Sequence, residues 1–192
     1  MTIFQLIMLA GAAFFAYQVY MHIQNIDEES EPAFMQDIEE IEMEPDYNEL
    51  IKQADEAFVD GQIEIAQKRL QDIVMRFPEV AEGMNKLAFV LNRQGNQLEA
   101  EKYYRASLKL EEDDVTYNAL ATLLVSMNNM EEAEECYKKA LSIDDNYEVT
   151  WFNYANLMLR LGRLEEAKEM YERVLAIDPN FQEAKDELEQ LK

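Results

Sequence analysis

The chain has 192 residues, and its 40 Asp and Glu against 17 Lys and Arg give a net charge of −23. Nucleic acids are bound mainly through Lys and Arg contacts to phosphates, so this charge argues against a nucleic-acid partner. There is one Cys, Cys136, and one His, His22, which excludes an intramolecular disulfide and a cysteine-based metal site.

Residues 1–26 contain no Asp, Glu, Lys or Arg. At about 1.5 Å per residue, the apolar stretch from Ile3 to Ile23 is long enough to span a hydrocarbon core of about 30 Å. Tyr17 and Tyr20, near one end, are typical of residues at a membrane interface. A cleaved signal peptide is the alternative, but neither a basic n-region nor a small-residue cleavage site is convincing. We therefore predict that residues 1–26 form one transmembrane helix.

The orientation of a transmembrane helix is usually indicated by Lys and Arg residues close to its ends. Here the first Lys or Arg in the chain is Lys52, so this indication is missing. The potential of an energised bacterial membrane mildly favours moving an acidic segment outward. We therefore expect a single-pass membrane protein whose main domain faces the extracytoplasmic, or periplasmic, side.

Residues 27–46 contain ten Asp or Glu and no Lys or Arg. One interpretation is a solvated, self-repelling spacer that holds the main domain away from the membrane. The other is a short amphipathic helix with Phe34, Ile38 and Ile41 on one face, ended by Pro45. Such a helix would dock on a partner or in the groove of the following domain.

The rest of the chain repeats with a period of about 34 residues, which indicates stacked supersecondary units. Gly or Asn tolerates the left-handed conformation that ends a helix, Ala permits close helix contacts, and aromatic residues fill the gaps between units. The recurring columns are Gly61, Gly95, Asn128 and Gly162; Ala54, Ala88, Ala121 and Ala155; Ala66, Ala100, Ala133 and Ala167; and Leu70, Tyr104, Tyr137 and Tyr171. The pattern predicts four helical hairpins.

These columns resemble the tetratricopeptide repeat family over about residues 47–181. The last copy carries the family pattern most fully, in Trp151, Tyr154, Ala155, Gly162, Ala167, Tyr171 and Pro179. The departures are Gln53 at an expected apolar position, Glu112 and Asp145 in place of a Pro between repeats, and a second repeat that is one residue short. The resemblance implies an all-α fold, a right-handed α-solenoid of about four helix-turn-helix repeats.

The predicted domains follow from the repeat register. The first helix of each hairpin is expected at 47–60, 81–94, 114–127 and 148–161, and the second at 63–76, 97–110, 130–143 and 164–177. The domains are an anchor at 1–26, an acidic linker at 27–46, repeats at 47–80, 81–113, 114–147 and 148–181, and a C-terminal capping helix at 182–192.

No combination of residues in the repeats points to catalysis. We expect Cys136 to be a small packing residue, and the five glycines form no phosphate-binding loop. The acidic run on the second helix of repeat three should be a solvated outer surface, because paired catalytic carboxylates need a shared desolvated pocket. That run comprises Glu131, Glu132, Glu134 and Glu135. We predict no enzymatic activity, cofactor, metal site or small-molecule substrate.

The resemblance places the first helix of each hairpin on a concave face, where residues not used in packing would line a groove. Read from the sequence, these are Ile51, Lys52, Asp55, Asn85, Lys86, Phe89, Asn92, Arg93, Asn118, Ala119, Thr122, Ser126, Phe152, Asn153, Asn156 and Arg160. We predict a peptide-binding site formed by Asn85, Lys86, Phe89, Arg93, Asn118, Thr122, Phe152, Asn153, Asn156 and Arg160.

The residue types in this set suit an extended peptide. An Asn amide both donates and accepts hydrogen bonds, so it can hold a peptide backbone without reading its sequence. Phe89 and Phe152 would be apolar anchors, and Lys86, Arg93 and Arg160 would attract a negative or polar patch. The alternative is that Asn and Arg only keep a surface soluble.

The expected function is a membrane-tethered scaffold that binds a partner protein or peptide in this groove. Two other functions fit the same sequence: an envelope chaperone or assembly factor for client proteins, and an accessory subunit of a membrane enzyme complex.

Overall fold

The computed structural model describes residues 46–191, and the predicted anchor and nearly all of the acidic linker lie outside them. Within the described part the chain is all-helical, with nine α-helices and no strand. They are α1 (Tyr47–Val59), α2 (Ile63–Arg76), α3 (Ala81–Arg93), α4 (Gln97–Leu110), α5 (Asp114–Ser126), α6 (Met130–Ile143), α7 (Glu148–Arg160), α8 (Leu164–Ile177) and α9 (Gln182–Gln190). None of these helices is both long and apolar enough to cross a membrane.

Eight helices pair into four hairpins, α1 with α2, α3 with α4, α5 with α6 and α7 with α8. Each second helix also packs on the first helix of the next hairpin, and α9 packs on α8. The predicted all-α solenoid of helical hairpins is therefore confirmed for this part of the chain.

The turn inside each hairpin depends on one residue with a left-handed backbone. Gly61 has φ +74°, and Asn128, at the equivalent position of repeat three, has φ 65°. The residue after each one closes the helix end, since Gln62 N–H donates to the Ala57 carbonyl at 2.8 Å and Asn129 N–H to the Leu124 carbonyl at 2.9 Å. Asn is the side-chain-bearing residue that most readily replaces Gly in this conformation.

The core follows the columns that the period predicts. Both Ala columns are buried, and Tyr104, Tyr137 and Tyr171 are each at most 2% exposed. Buried side chains from Ile51 to Ala184 form one continuous cluster through all four hairpins and α9. Each hairpin therefore stabilises its neighbours, as expected of a repeat stack.

Candidate protein-binding surface

The first helices of neighbouring hairpins contact one another, α3 with α5 and α5 with α7. Their outward-facing residues, together with those of α1, are called here the first-helix surface. All ten residues predicted to bind a peptide lie on α3, α5 and α7. The structure divides them into residues that brace one hairpin against the next and residues that remain available.

The asparagines are mainly braces between hairpins. The Asn85 amide of α3 donates to the Thr116 hydroxyl of α5, which itself donates to the Asp113 carboxylate at 2.6 Å. The Asn153 amide of α7 donates to Asn118 Oδ1 of α5 at 3.1 Å. The prediction that Asn118 is free for a ligand is wrong in structural terms, because it is only 8% exposed. Its partner lies 35 residues away, so local periodicity could not reveal the contact.

Two further predicted residues support buried tyrosines. Asn156 Oδ1 accepts a hydrogen bond from the Tyr171 hydroxyl at 2.5 Å. The Thr122 hydroxyl lies 3.1 Å from the Tyr137 hydroxyl and donates to the Asn118 carbonyl at 3.0 Å. Both Asn156 and Thr122 are nevertheless exposed, so each has one side in the core network and one side open.

Phe152 does not stand free as an apolar anchor. Its ring lies 5.7 Å from that of Tyr171 and 5.0 Å from that of Phe181, between centroids, and the side chain is half-buried. Ile51, also assigned to the groove, is only 7% exposed. Aromatic and β-branched residues at these positions complete the core instead of facing a ligand.

Phe89 is the predicted anchor that remains open, at 43% exposure. Its ring lies 5.4 Å from that of Phe58 on α1, a residue that the sequence reading missed. The two rings, with the stem of Lys86, line a cavity of about 200 Å³. Phe58 falls in the repeat column of Asn92, and following that column back into repeat one would have found it.

The cations differ in how far they are already engaged. Lys86 Nζ lies 2.9 Å from Asp55 Oδ2 and 3.7 Å from Glu82 Oε1, so it bridges α1 and α3. Arg160 donates to the Val125 carbonyl at 3.1 Å. Arg93 is exposed and forms no ion pair within residues 46–191, which leaves its guanidinium available to a ligand.

The acidic run on α6 is not a uniformly solvated face, which corrects the sequence reading. The Glu134 side chain is 16% exposed and accepts from Lys138 at 2.6 Å, from Arg163 at 2.8 Å and from the Tyr154 hydroxyl at 3.2 Å. Burial acts to raise the pKa of Glu134, but Lys138, Tyr154 and Arg163 together bring that pKa below its ordinary value. Glu134 therefore joins repeats three and four as a charged brace.

Cys136 is a packing residue, as predicted. It is 6% exposed, and burial raises the pKa of its thiol to about 11, which keeps it protonated at neutral pH. Residues 46–191 also contain no cluster of His, Cys, Asp or Glu that could hold a metal ion.

Comparisons with known proteins agree with this architecture. Among the solved structures that share the fold are the MamA protein, the first tetratricopeptide domain of Spaghetti (RPAP3) bound to an HSP90 peptide, and YrrB, described as having an unusual peptide-binding site. MamA has a TM-score of 0.67 at 16% identity, covering 76% of this chain and 80% of MamA. The Spaghetti domain has a TM-score of 0.56 at 26% identity, covering 58% of this chain and 89% of that domain. YrrB has a TM-score of 0.62 at 20% identity, covering 81% of this chain and 79% of YrrB.

At the level of sequence, no curated protein matches the chain. The sequence profile of the tetratricopeptide repeat matches residues 79–146 and 112–180, together just over half of the chain. With the hairpins, the left-handed turn residues and the Ala and Tyr columns in place, the chain belongs to the tetratricopeptide repeat family.

Proposed function

We propose that the protein is a membrane-tethered scaffold that binds an extended peptide segment of a partner protein on its first-helix surface. Repeats of this family typically serve as non-catalytic platforms for protein or peptide binding. Two of the similar structures, the Spaghetti domain and YrrB, are peptide-binding proteins by their own description.

The observation that carries the proposal is the contrast in charge between this surface and the rest of the domain. Ten of the 40 acidic residues lie in residues 27–46; the other 30, with all 17 Lys and Arg, give residues 47–192 a net charge of −13. The groove positions read from the sequence instead carry four cations, Lys52, Lys86, Arg93 and Arg160, against one anion, Asp55. Lys52 and Lys86 are paired with acidic residues of the first helices, whereas Arg93 and Arg160 form no ion pair within residues 46–191. An acidic or polar peptide is attracted there and repelled elsewhere.

The cavity between Phe58 and Phe89 supplies the apolar part of such a site. A partly exposed aromatic pair that seats one apolar side chain, beside cations that attract acidic neighbours, is a typical anchor arrangement. We therefore place the anchor in repeats one and two, and the polar part of the peptide along Arg93, Thr122, Asn156 and Arg160.

The membrane tether rests on the uncharged, apolar residues 1–26. Deleting them should convert a carbonate-resistant membrane protein into a soluble one. Recovery of the full-length protein in the soluble fraction, or a mature N-terminus beyond Tyr20, would show that the tether is wrong. The binding proposal stands independently of this result.

The binding proposal is tested by pull-down of the full-length protein in mild detergent through a C-terminal tag, with identification of co-purified proteins by mass spectrometry. A single stoichiometric partner is expected. Many substoichiometric clients would indicate a chaperone, and co-purification of an entire enzyme complex would indicate an accessory subunit.

The surface is then tested with two matched double variants and the identified partner. Phe89→Ala with Arg93→Ala removes one apolar group and one cation from the first-helix surface. Leu110→Ala with Lys109→Ala does the same on α4, where Leu110 is 46% exposed, close to the 43% of Phe89. We expect the first pair to weaken binding at least about tenfold, or about 1.4 kcal/mol, and the second to leave it unchanged. The reverse pattern would move the site to the second helices.

A further inference from the structure

The last residues of the four first helices occupy equivalent positions of the repeat and are all exposed. Since neighbouring first helices pack side by side, these residues form a row across the first-helix surface, called here the end row. In chain order they are Val59, Arg93, Ser126 and Arg160. The residue types along the row are therefore apolar, cationic, hydroxyl and cationic.

The two arginines of the end row lie in a part of the surface without acidic residues. No Asp or Glu occurs in the stretches of α3, α5 and α7 that lead to the row, which are residues 83–93, 115–126 and 149–160. From the second helices, Gln97 reaches the row and donates to the Ser126 hydroxyl at 2.9 Å. The positions equivalent to Gln97 are also uncharged, being Ile63, Met130 and Leu164. Arg93 and Arg160 therefore have no ion-pair partner within residues 46–191.

The α1 end of the row has the opposite character. Val59 is 83% exposed and follows Phe58, whose ring lies 5.4 Å from that of Phe89 at the cavity described above. The neighbouring Asp60 is exposed, and Asp55 is already paired with Lys86 at 2.9 Å. This end therefore favours an apolar group and disfavours an acidic one, so the row is not symmetrical.

The spacing along the row can be converted into positions on an extended chain. Phe89 and Arg93 are one helical turn apart, about 5–6 Å, which corresponds to about two extended residues. Arg93 and Arg160 are separated by two helix-to-helix steps of about 8–10 Å each, or about six extended residues. Between them, Ser126 already donates to the Leu123 carbonyl at 2.6 Å, so the residues that pass over it are not selected.

We propose that the bound segment carries one apolar residue and two acidic residues in this order and spacing, an inference that rests on the peptide-binding function proposed above. The apolar side chain enters the cavity between Phe58 and Phe89. The first carboxylate pairs with Arg93, and the second, about six residues further along, pairs with Arg160. Arg is suited to this role, because its guanidinium binds a carboxylate through two parallel hydrogen bonds.

The test begins with a phage-displayed library of random peptides, selected on the full-length protein held in mild detergent by a C-terminal tag. We expect the enriched peptides to share an apolar residue, an acidic residue about two positions away and a second acidic residue about six positions beyond it, in either chain direction. Their binding should be lost in the Phe89→Ala, Arg93→Ala double variant.

A charge exchange then assigns each acidic residue to its arginine. Arg93→Glu should weaken binding of a synthetic enriched peptide at least about tenfold. Replacing the first acidic residue of the peptide by Lys should restore binding to Arg93→Glu but not to Arg160→Glu. Lys102→Glu, the same charge change at an exposed position of α4, is the matched control and should leave binding unchanged.

The outcomes separate this inference from the function on which it rests. Peptides that need Phe89 and Arg93 but have acidic residues at no fixed spacing, or a charge exchange that restores nothing, would overturn the inference alone. No enrichment, or enriched peptides that bind the double variant as well as the wild type, would overturn the proposed binding surface and the inference with it.

Discussion

The first-helix surface has an N-terminal half, on α1 and α3, and a C-terminal half, on α5 and α7. Residues at equivalent helix positions have different roles in the two halves. Between α5 and α7, polar residues at groove positions bond to each other, as Asn153 does to the buried Asn118. Between α1 and α3, the same positions leave Phe89 exposed beside Phe58, with Lys86 at the edge of the cavity.

The difference shows that a groove position in a repeat protein is not by itself a ligand contact. A side chain there is available only when its contacts with the neighbouring first helix leave part of it exposed, as they do for Phe89. The C-terminal half is therefore expected to respond to mutation mainly through stability, and the N-terminal half mainly through binding.

The largest loss of folding stability should be similar for substitutions in either half, because both halves share one core. Ala54→Leu in α1 and Ala155→Leu in α7 each overpack a position that is at most 1% exposed, and each should cost about 1–3 kcal/mol. Thermal unfolding followed by circular dichroism measures this. Ala176→Leu, at an exposed position of α8, is the control and should change little. A large cost in one half only would mean that the halves differ in packing as well as in surface.

The next effect separates the halves. Asn118→Ala removes the acceptor of the Asn153 amide at a buried position and should cost about 1–2 kcal/mol of unfolding free energy. The control is Asn92→Ala in α3, whose half-buried side chain has no hydrogen-bond partner in the described part of the chain. Chemical denaturation of the two variants compares them directly. Equal stability would mean that the C-terminal asparagines are not braces.

The charged brace of the C-terminal half should give a pH-dependent effect. Because the folded-state pKa of Glu134 lies below its ordinary value of 4.5, its carboxylate stabilises the folded protein above that pH, and this contribution is lost as the pH falls through the lower folded-state pKa. Glu134→Gln should therefore lower stability by about 1 kcal/mol at pH 7.

This difference from the wild type should shrink as the pH falls below 4.5. Glu131→Gln, on the exposed side of the same helix, is the matched control and should change stability little at either pH. Melting curves at neutral and acid pH measure both variants. A deficit for Glu134→Gln that stays constant with pH would contradict the role of its charge.

The smallest effect on stability is expected in the N-terminal half. Phe89→Ala truncates a side chain that is 43% exposed, and we expect a cost of about 0.5 kcal/mol, typical of a surface substitution. Denaturation of the purified variant measures this cost. A cost of about 3 kcal/mol or more, typical of truncating a buried Phe, would place Phe89 in the core and remove it as an anchor.

The sequence by itself determined the hairpin architecture. The regular repeat period, the left-handed turn column with Asn128 as a substitute for Gly, and the buried Ala and Tyr columns are properties of single hairpins repeated along the chain. Local backbone preference and side-chain volume fix them, so they can be read without knowing how the hairpins meet.

Only the tertiary structure decided which surface residues are free. Asn118 contacts Asn153, Phe152 contacts Phe181, and Glu134 contacts an arginine of the next hairpin. Each of these contacts joins two different hairpins or helices, and the periodicity within one helix carries no information about them. The period gives the face of a helix on which a residue lies. The distance and angle between neighbouring hairpins decide whether that face meets a partner or solvent, and these depend on packing throughout the stack.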